Sequence, residues 1–382
     1  MTDNRLFDEI DSLYEGFLKV WIDVCNIESP TDYKEGVDKV VDYFAEFAMQ
    51  KGWKTEIFPQ DVAGNCLCVT MNPESGLPPI ALSGHIDTVH AVGSFGNPAV
   101  SVDDVNIYGP GAMDCKGGTV AALLAMTALH NIGFKERPVQ LLLQTDEESN
   151  SLHSNKATIN FMCEKAKNAV AFLNCESIKG NTAVLWRRGI CRYRFDITGK
   201  TIHASKCNEG ASAIYEAAEK IVRLEKFKDI NGITCNCGII SGGNGENIVP
   251  EKCSFFAEIR FNTTEEFEMA QKAVKEIAET SYVEGTACVL TETVRRCAME
   301  KSERNFLLLD KMNEIYRRWG LPELTARQSL GGSDAADITA YGIPCVDSIG
   351  VAGDYIHTRQ EYAVLKSLKE AAKRVATVIY SI

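Results

Sequence analysis

The chain has 382 residues, 45% of them hydrophobic, and a formal net charge of −12. That length suggests about two domains. The acidic balance disfavours nucleic acid, whose phosphates need a basic surface, and no run of about 18 apolar residues is present to span a membrane. The opening Met1-Thr-Asp-Asn-Arg5 lacks the apolar core of a signal peptide, so a cytoplasmic location is expected. Fourteen cysteines include no Cys-x-x-Cys, and Cys66/Cys68 and Cys235/Cys237 alternate within strand-like runs. Buried free thiols are the expectation.

Residues 5–27 and 34–51 carry apolar side chains at helical spacing, the second stretch ending at Gly52. Short strand-like runs follow, ending with Pro79-Ile-Ala-Leu-Ser83. A glycine-rich turn leads into a helix over about 117–130, a strand at Val139–Gln144, a helix near 156–166 and a strand at Ala169–Leu173. This alternation predicts an α/β fold with a mainly parallel sheet and helices on both faces. The pattern changes near residue 188, where Arg192-Tyr-Arg-Phe-Asp-Ile-Thr198 alternates polar and apolar residues with period two. A helix at 211–226, strands at 233–240 and 253–261, a helix at 264–281 and a strand at 286–295 complete a β-α-β-β-α-β order, the ferredoxin-like α+β plan. Alternation resumes with a helix at 303–319, a strand at Pro344–Ile349 and a helix at 361–380. One domain is therefore expected inside another: 1–187 with 298–382, interrupted by 188–297.

Residues able to bind metal recur at the ends of the apolar runs. In Leu82-Ser-Gly-His-Ile-Asp-Thr88, His85 and Asp87 are two apart and face the same way in extended chain. Asp87 is either the acceptor for the histidine's second ring nitrogen or a ligand itself; by itself the pair also fits a satisfied surface histidine. In Tyr108-Gly-Pro-Gly-Ala-Met-Asp-Cys-Lys-Gly-Gly118, Asp114 occupies the third-glycine place of a dinucleotide fingerprint, where a carboxylate would repel pyrophosphate. A metal role fits the constrained carboxylate better. Asp146-Glu-Glu148 ends an apolar strand, and Glu176 follows another. Solvated strand ends are the ordinary reading of such acids; the alternative gives one glutamate to a metal and its neighbour to base catalysis.

The order of these segments resembles the M20 metallopeptidase family, which contains glutamate carboxypeptidase, aminoacylases, peptidase T and succinyl-diaminopimelate desuccinylase. The resemblance spans nearly the whole chain. It rests on Ser83-Gly-His-Ile-Asp-Thr-Val89, Gly109-Pro-Gly-Ala-Met-Asp-Cys-Lys-Gly-Gly118, Thr145-Asp-Glu-Glu148, Gly331-Gly-Ser-Asp-Ala335 and Ile356-His-Thr358. It implies a zinc-peptidase-like catalytic domain and identifies the inserted module as a lid domain through which the protein forms a homodimer. It also implies two zinc ions bridged by Asp114, with His85 and Glu176 completing one site and Glu148 and His357 the other. Cobalt or manganese suits the same ligands. Asp87 would orient His85, Glu147 would be the general base, and the Asp114–Cys115 peptide is a candidate for the cis form. Two zinc ions bring four positive charges against three from the carboxylates Asp114, Glu148 and Glu176.

On the inserted module, His203 matches the family's lid histidine, which polarises the substrate carbonyl in the partner's site. Glu246-Asn-Ile-Val-Pro250, with Asn247, and Glu258-Ile-Arg-Phe261, with Arg260, match segments that help bind the substrate carboxylate, and Gly331 matches a substrate-binding turn. Arginine's planar fork suits a carboxylate. Taken singly, these are an ordinary loop histidine and a solvated strand arginine.

Two departures are visible. Cys115 stands where many relatives carry a bulkier apolar residue, and it reads as a buried small residue rather than a ligand. The cysteine–histidine pattern of the auxin-conjugate and hippurate hydrolase branch is absent. Glutamate at 176, rather than aspartate, goes with carboxypeptidase or aminoacylase activity in the family. The expected function is hydrolysis of an amide beside a free carboxylate, in short peptides or N-acyl amino acids. A biosynthetic deacylase or desuccinylase is the close alternative. A non-catalytic binding protein on the same scaffold, and more distantly a nicotinamide-dependent oxidoreductase, are alternatives from other classes.

Overall fold

The computed structural model describes residues 4–228 and 232–382. It divides into two compact units: Met1–Leu185 with Lys301–Gln328 and Ser333–Ile382, and Trp186–Glu300 with Ser329–Gly332. Among the described residues no helix is long and apolar enough to cross a membrane. The fourteen cysteines are thiols, and all but Cys207, Cys237, Cys288 and Cys297 are buried.

The first unit is built on an eight-stranded sheet. Its order is Lys54–Phe58, Cys66–Met71, Val139–Gln144, Ile80–His85, Ala171–Asn174, Cys345–Asp347, Thr182–Arg187 and Thr325–Ser329. The middle four strands run parallel, and antiparallel pairs flank them. The middle strands are apolar almost throughout, as strands covered on both sides must be. Parallel neighbours need long crossovers. The helices Lys116–Asn131 and Ala157–Ala166 lie within two of them and pack back on the sheet. Lys116–Leu129 is buried along its whole length, which explains why Gly117-Gly-Thr-Val-Ala-Ala-Leu-Leu-Ala125 shows no polar face. Asn4–Asn26 and Ser367–Ser381 pack on that helix in turn.

Residues 361–366 correct the expected C-terminal helix, which begins only at Ser367. Tyr362–Val364 is a strand paired antiparallel with Asn106–Tyr108 in a small sheet that also contains Gly353–Asp354 and Ser101–Val102. The pairing is non-local, so no local periodicity announces it. The strands Thr182–Arg187 and Thr325–Ser329 and the short helix Ala335–Ala340 are likewise additions to the expected elements.

The second unit has the strands Gly189–Thr198, Thr234–Gly242, Lys252–Phe261 and Ala287–Arg296, with helices Ala213–Glu225 and Thr264–Glu279 between them. Its sheet is antiparallel, ordered second, third, first, fourth. The period-two pattern turns Cys191, Tyr193, Phe195 and Ile197 into a core with Phe255, Ala257 and Ile259, where Phe195 and Phe255 stack at 4.4 Å. Ser212 and Thr263 cap the two helices through backbone N–H groups of Tyr215 and Glu266.

An ion pair fastens these helices together. Lys220 Nζ lies 2.9 Å from Glu216, and both side chains are buried. The ammonium also donates to the carbonyls of Ile277, Ala278 and Thr280 at the end of the second helix. Glu216 accepts the N–H groups of Tyr282 and Val283 just beyond it. Removing one partner strands the other charge, so Lys220→Met should lower unfolding free energy by about 3–5 kcal/mol. Urea unfolding measures this, and an unchanged midpoint would contradict the clamp.

Candidate metal centre

Seven of the expected residues converge in the first unit. His85 is the last residue of Ile80–His85. Glu147 and Glu148 lie just past Val139–Gln144, and Glu176 just past Ala171–Asn174. These are the carboxyl ends of adjacent parallel strands, where α/β sheets assemble their sites. Asp114 enters from the turn before Lys116–Asn131, across a cis Asp114–Cys115 peptide, and His357 from a loop where its φ is 62°.

Asp114 is the centre of the group. Its Oδ1 lies 3.1 Å from His85 Nε2 and its Oδ2 lies 3.2 Å from His357 Nε2. Glu148 Oε2 stands 3.3 Å from His357 Nε2, and Glu176 Oε1 3.7 Å from His85 Nε2. Two donors on one tetrahedral zinc lie about 3.3–3.4 Å apart when each bond is about 2.0–2.1 Å. The donors around Asp114 and His357 sit close to the spacing a shared cation would set, and Glu176 stands a little farther off. His85, Asp114 and Glu148 form one group able to hold a metal.

Asp87 supports this cluster from below. His85 Nδ1 faces the Asp87 carbonyl at 3.0 Å and its carboxylate at 3.4 Å, which leaves Nε2 directed at Asp114. The Asp87 carboxylate also accepts the N–H groups of Glu147 and Glu148 and the Thr31 hydroxyl. One buried acid thus fixes the histidine and the backbone of both glutamates. Glycine makes the Glu176 side of the site possible. A Cβ on Gly118 would lie 1.8 Å from the Cys175 carbonyl oxygen, and one on Gly350 would lie 2.2 Å from the same atom. No side chain fits at either position.

The charges are mutually dependent. Burial pushes Glu148 up to about 7 and Glu176 well above the usual carboxylate range. Burial would raise Asp114 too, but hydrogen bonds from His357 and His85 outweigh it and hold the carboxyl low. Bonds to Asp114 and Glu148 raise His357 to about 10. Burial alone would lower His85, yet Cys115, Asp114 and Asp87 together raise it. One buried and two half-buried carboxylates against two imidazoles make a site that favours positive charge, proton or cation.

Cys115 Sγ belongs to a second group of metal-capable atoms with His85 and Glu176. It accepts the His85 N–H at 3.0 Å and donates to the His85 carbonyl at 3.5 Å. Burial pushes its thiol up, away from the thiolate a metal needs.

The other four expected residues belong to the second unit and form two local arrangements. His203 Nδ1 lies 2.8 Å from the Ser205 hydroxyl, and its neighbour Ala204 donates to the Asn247 carbonyl at 2.8 Å. Arg260 donates through Nε to Glu258 and through Nη1 to the Leu330 carbonyl at 2.6 Å. Gly331, next in the chain, gives its carbonyl to Arg187 at 3.2 Å. The sequence reading missed Thr31, His90, Lys116 and Glu361. Lys116 is fully buried, and its Nζ joins the carbonyls of Val24 and Ile27 to the start of the helix after Asp114. Its place in Asp114-Cys-Lys-Gly-Gly118 was the available signal.

A family model for peptidase family M20/M25/M40 matches residues 81–381. The chain belongs to that family. It is a metal-dependent hydrolase of the M20 type, and residues able to bind the metal are present. Carboxypeptidase G2 of Pseudomonas sp. is 26% identical over 385 residues, covering 99% of this chain and 92% of that protein. Succinyl-diaminopimelate desuccinylase of Rickettsia felis is 28% identical over 290 residues, 69% of this chain and 73% of that enzyme. The crystal structure of a tripeptidase from Staphylococcus aureus superposes with a TM-score of 0.77 at 26% identity, covering 95% of this chain and 96% of that one.

In this M20 chain the contact of Gly118 with Cys175 holds the backbone of Glu176. Gly118→Ala should weaken metal binding by roughly tenfold or more, the scale seen when a ligand's support is lost. Competition with a chromophoric chelator measures it; wild-type affinity would show that the contact does not position Glu176.

Proposed function

We propose that this protein is a two-zinc hydrolase that cleaves an amide beside a free carboxylate in short peptides or N-acyl amino acids. The observation that carries the reading is the carboxylate of Asp114 with one histidine at each oxygen. In this reading His85 and Glu176 hold one ion, Glu148 and His357 the other, and Asp114 both; cobalt or manganese would fit the same donors. Bound there, the ions would supply Lewis acidity to the scissile carbonyl and to an attacking water.

The chain's own residues do the rest. Glu147 takes the proton of the attacking water and returns it to the leaving amine. Its backbone is fixed on Asp87 beside that of Glu148, so base and ligand keep a constant spacing. Asp87 holds the tautomer of His85. Glu147 is buried, which keeps bulk water from competing for the proton it carries.

For the second unit we infer a lid that also forms a homodimer. Among the described residues Arg260 gives Nε to Glu258 and one Nη1 hydrogen to Leu330, which in this reading leaves Nη2 for a substrate carboxylate. In this reading Asn247 and the Gly331 turn assist it, and His203 polarises the carbonyl of a substrate bound to the partner. The names of the relatives support the substrate class: a carboxypeptidase, a tripeptidase and a desuccinylase. The desuccinylase, at 28% identity, favours a second reading as a deacylase of N-acyl amino acids. We place the enzyme in the cytoplasm.

A matched panel tests the proposal: dipeptides and N-acyl amino acids, each with a free carboxylate and as its amide. The zinc-loaded protein should hydrolyse the free acids and spare the amides, and Arg260→Ala should raise KM for the acids alone. Glu147→Gln should keep its metal and lose about 10²- to 10⁴-fold in kcat. Equal rates on acids and amides would remove the carboxylate assignment, and a fully active Glu147→Gln would remove the base.

A further inference from the structure

The loop after His357 carries a buried carboxylate that the catalytic reading leaves unused. Glu361 is 1% exposed. Its Oε1 accepts the N–H groups of Met113 and Asp114, at 2.9 and 3.1 Å. Its Oε2 lies 3.0 Å from His90 Nε2, and the His90 ring packs edge-on against Phe95. The Glu361 carbonyl accepts the Gly109 N–H at 3.3 Å, where Tyr362–Val364 begins pairing with Asn106–Tyr108. Two local bonds, Thr358 N–H to the Tyr355 carbonyl and Glu361 N–H to the Thr358 carbonyl, wind the loop from Tyr355 through His357 to Glu361.

We propose that Glu361 is a positioning residue that clamps the loop bearing His357 to the turn bearing Asp114, with His90 aiming its carboxylate. His357 and Asp114 come from distant parts of the chain, yet their side chains meet at 3.2 Å. Strand pairing joins the two segments at Asn106–Tyr108, and the Glu361 side chain carries the tie on to the N–H groups of Met113 and Asp114 themselves. Two consecutive N–H groups converge on one of its oxygens, which fixes the peptide plane leading into Asp114. His90 occupies the other oxygen and so sets the rotation of the carboxylate. The geometry calls for an acceptor at this reach rather than for a negative charge. The inference rests on the assignment of Asp114 and His357 as metal ligands.

Full-length protein stripped of metal and titrated with Co2+ tests it, through cobalt affinity and visible absorption, with circular dichroism to verify folding. Asp114→Asn is the reference arm. Glu361→Gln keeps an oxygen for both N–H groups and offers its NH2 to a neutral His90, so its affinity and spectrum should match the wild type. Glu361→Asp keeps the charge but is one methylene shorter. It and Glu361→Ala should bind Co2+ roughly 10- to 100-fold more weakly, with an altered spectrum. Wild-type behaviour of the aspartate variant overturns the clamp, and so does a glutamine variant as impaired as the aspartate one. Loss of cobalt in Asp114→Asn but not in Glu361→Asp fails the clamp alone. Full binding by Asp114→Asn overturns the ligand assignment and the clamp together.

Discussion

Everything in the first unit serves one carboxylate held between two imidazoles. Asp114 meets His85 at one oxygen and His357 at the other, and Glu148 and Glu176 crowd the same space. Burying three acids together is costly unless cations or hydrogen bonds compensate. The fold supplies hydrogen bonds around the rim: Asp87 takes two backbone N–H groups and a hydroxyl, and Glu361 takes two more N–H groups. It supplies rigidity through close backbone packing, with the Cys175 carbonyl against Gly118 and Gly350. What remains is a cluster of carboxylates and imidazoles at metal-ligand spacing whose raised pKa values mark a place that favours protons or a cation.

Much of this was legible in the residues. Val139–Gln144 and Glu303–Trp319 have their expected bounds because each carries an unambiguous local pattern. The β-α-β-β-α-β order was readable because its strands alternate cleanly and its helices are amphipathic. The small sheet was not. Its strands are two or three residues long, too short for a period to register, and its two halves join only where Tyr362–Val364 meets Asn106–Tyr108 from far along the chain. The same limit extended the last helix back to 361, where the chain is in fact turning into a strand.

Among the site residues, those that offer a side chain to a cation stood out, because histidines and acids at strand ends are uncommon in apolar surroundings. Those that act on the backbone did not. Glu361 and Lys116 bind N–H groups and carbonyls contributed by remote segments, and such partnerships leave no spacing to read. Cys115 was read as a small buried residue; its bonds to the backbone of His85 agree with that. The −12 net charge does not decide the charge of a small substrate. A local arginine with free donors can receive an anion on an acidic protein, because selectivity follows the local field rather than the total.

The central claim is that two metal ions act together around Asp114. Stepwise addition of zinc to metal-free protein, with the rate of hydrolysis of a dipeptide followed at each step, tests it most directly. No turnover is expected in chelator, and full activity is expected only at two zinc ions per chain. Activity in the absence of metal, or a plateau already complete at one ion per chain, would contradict it.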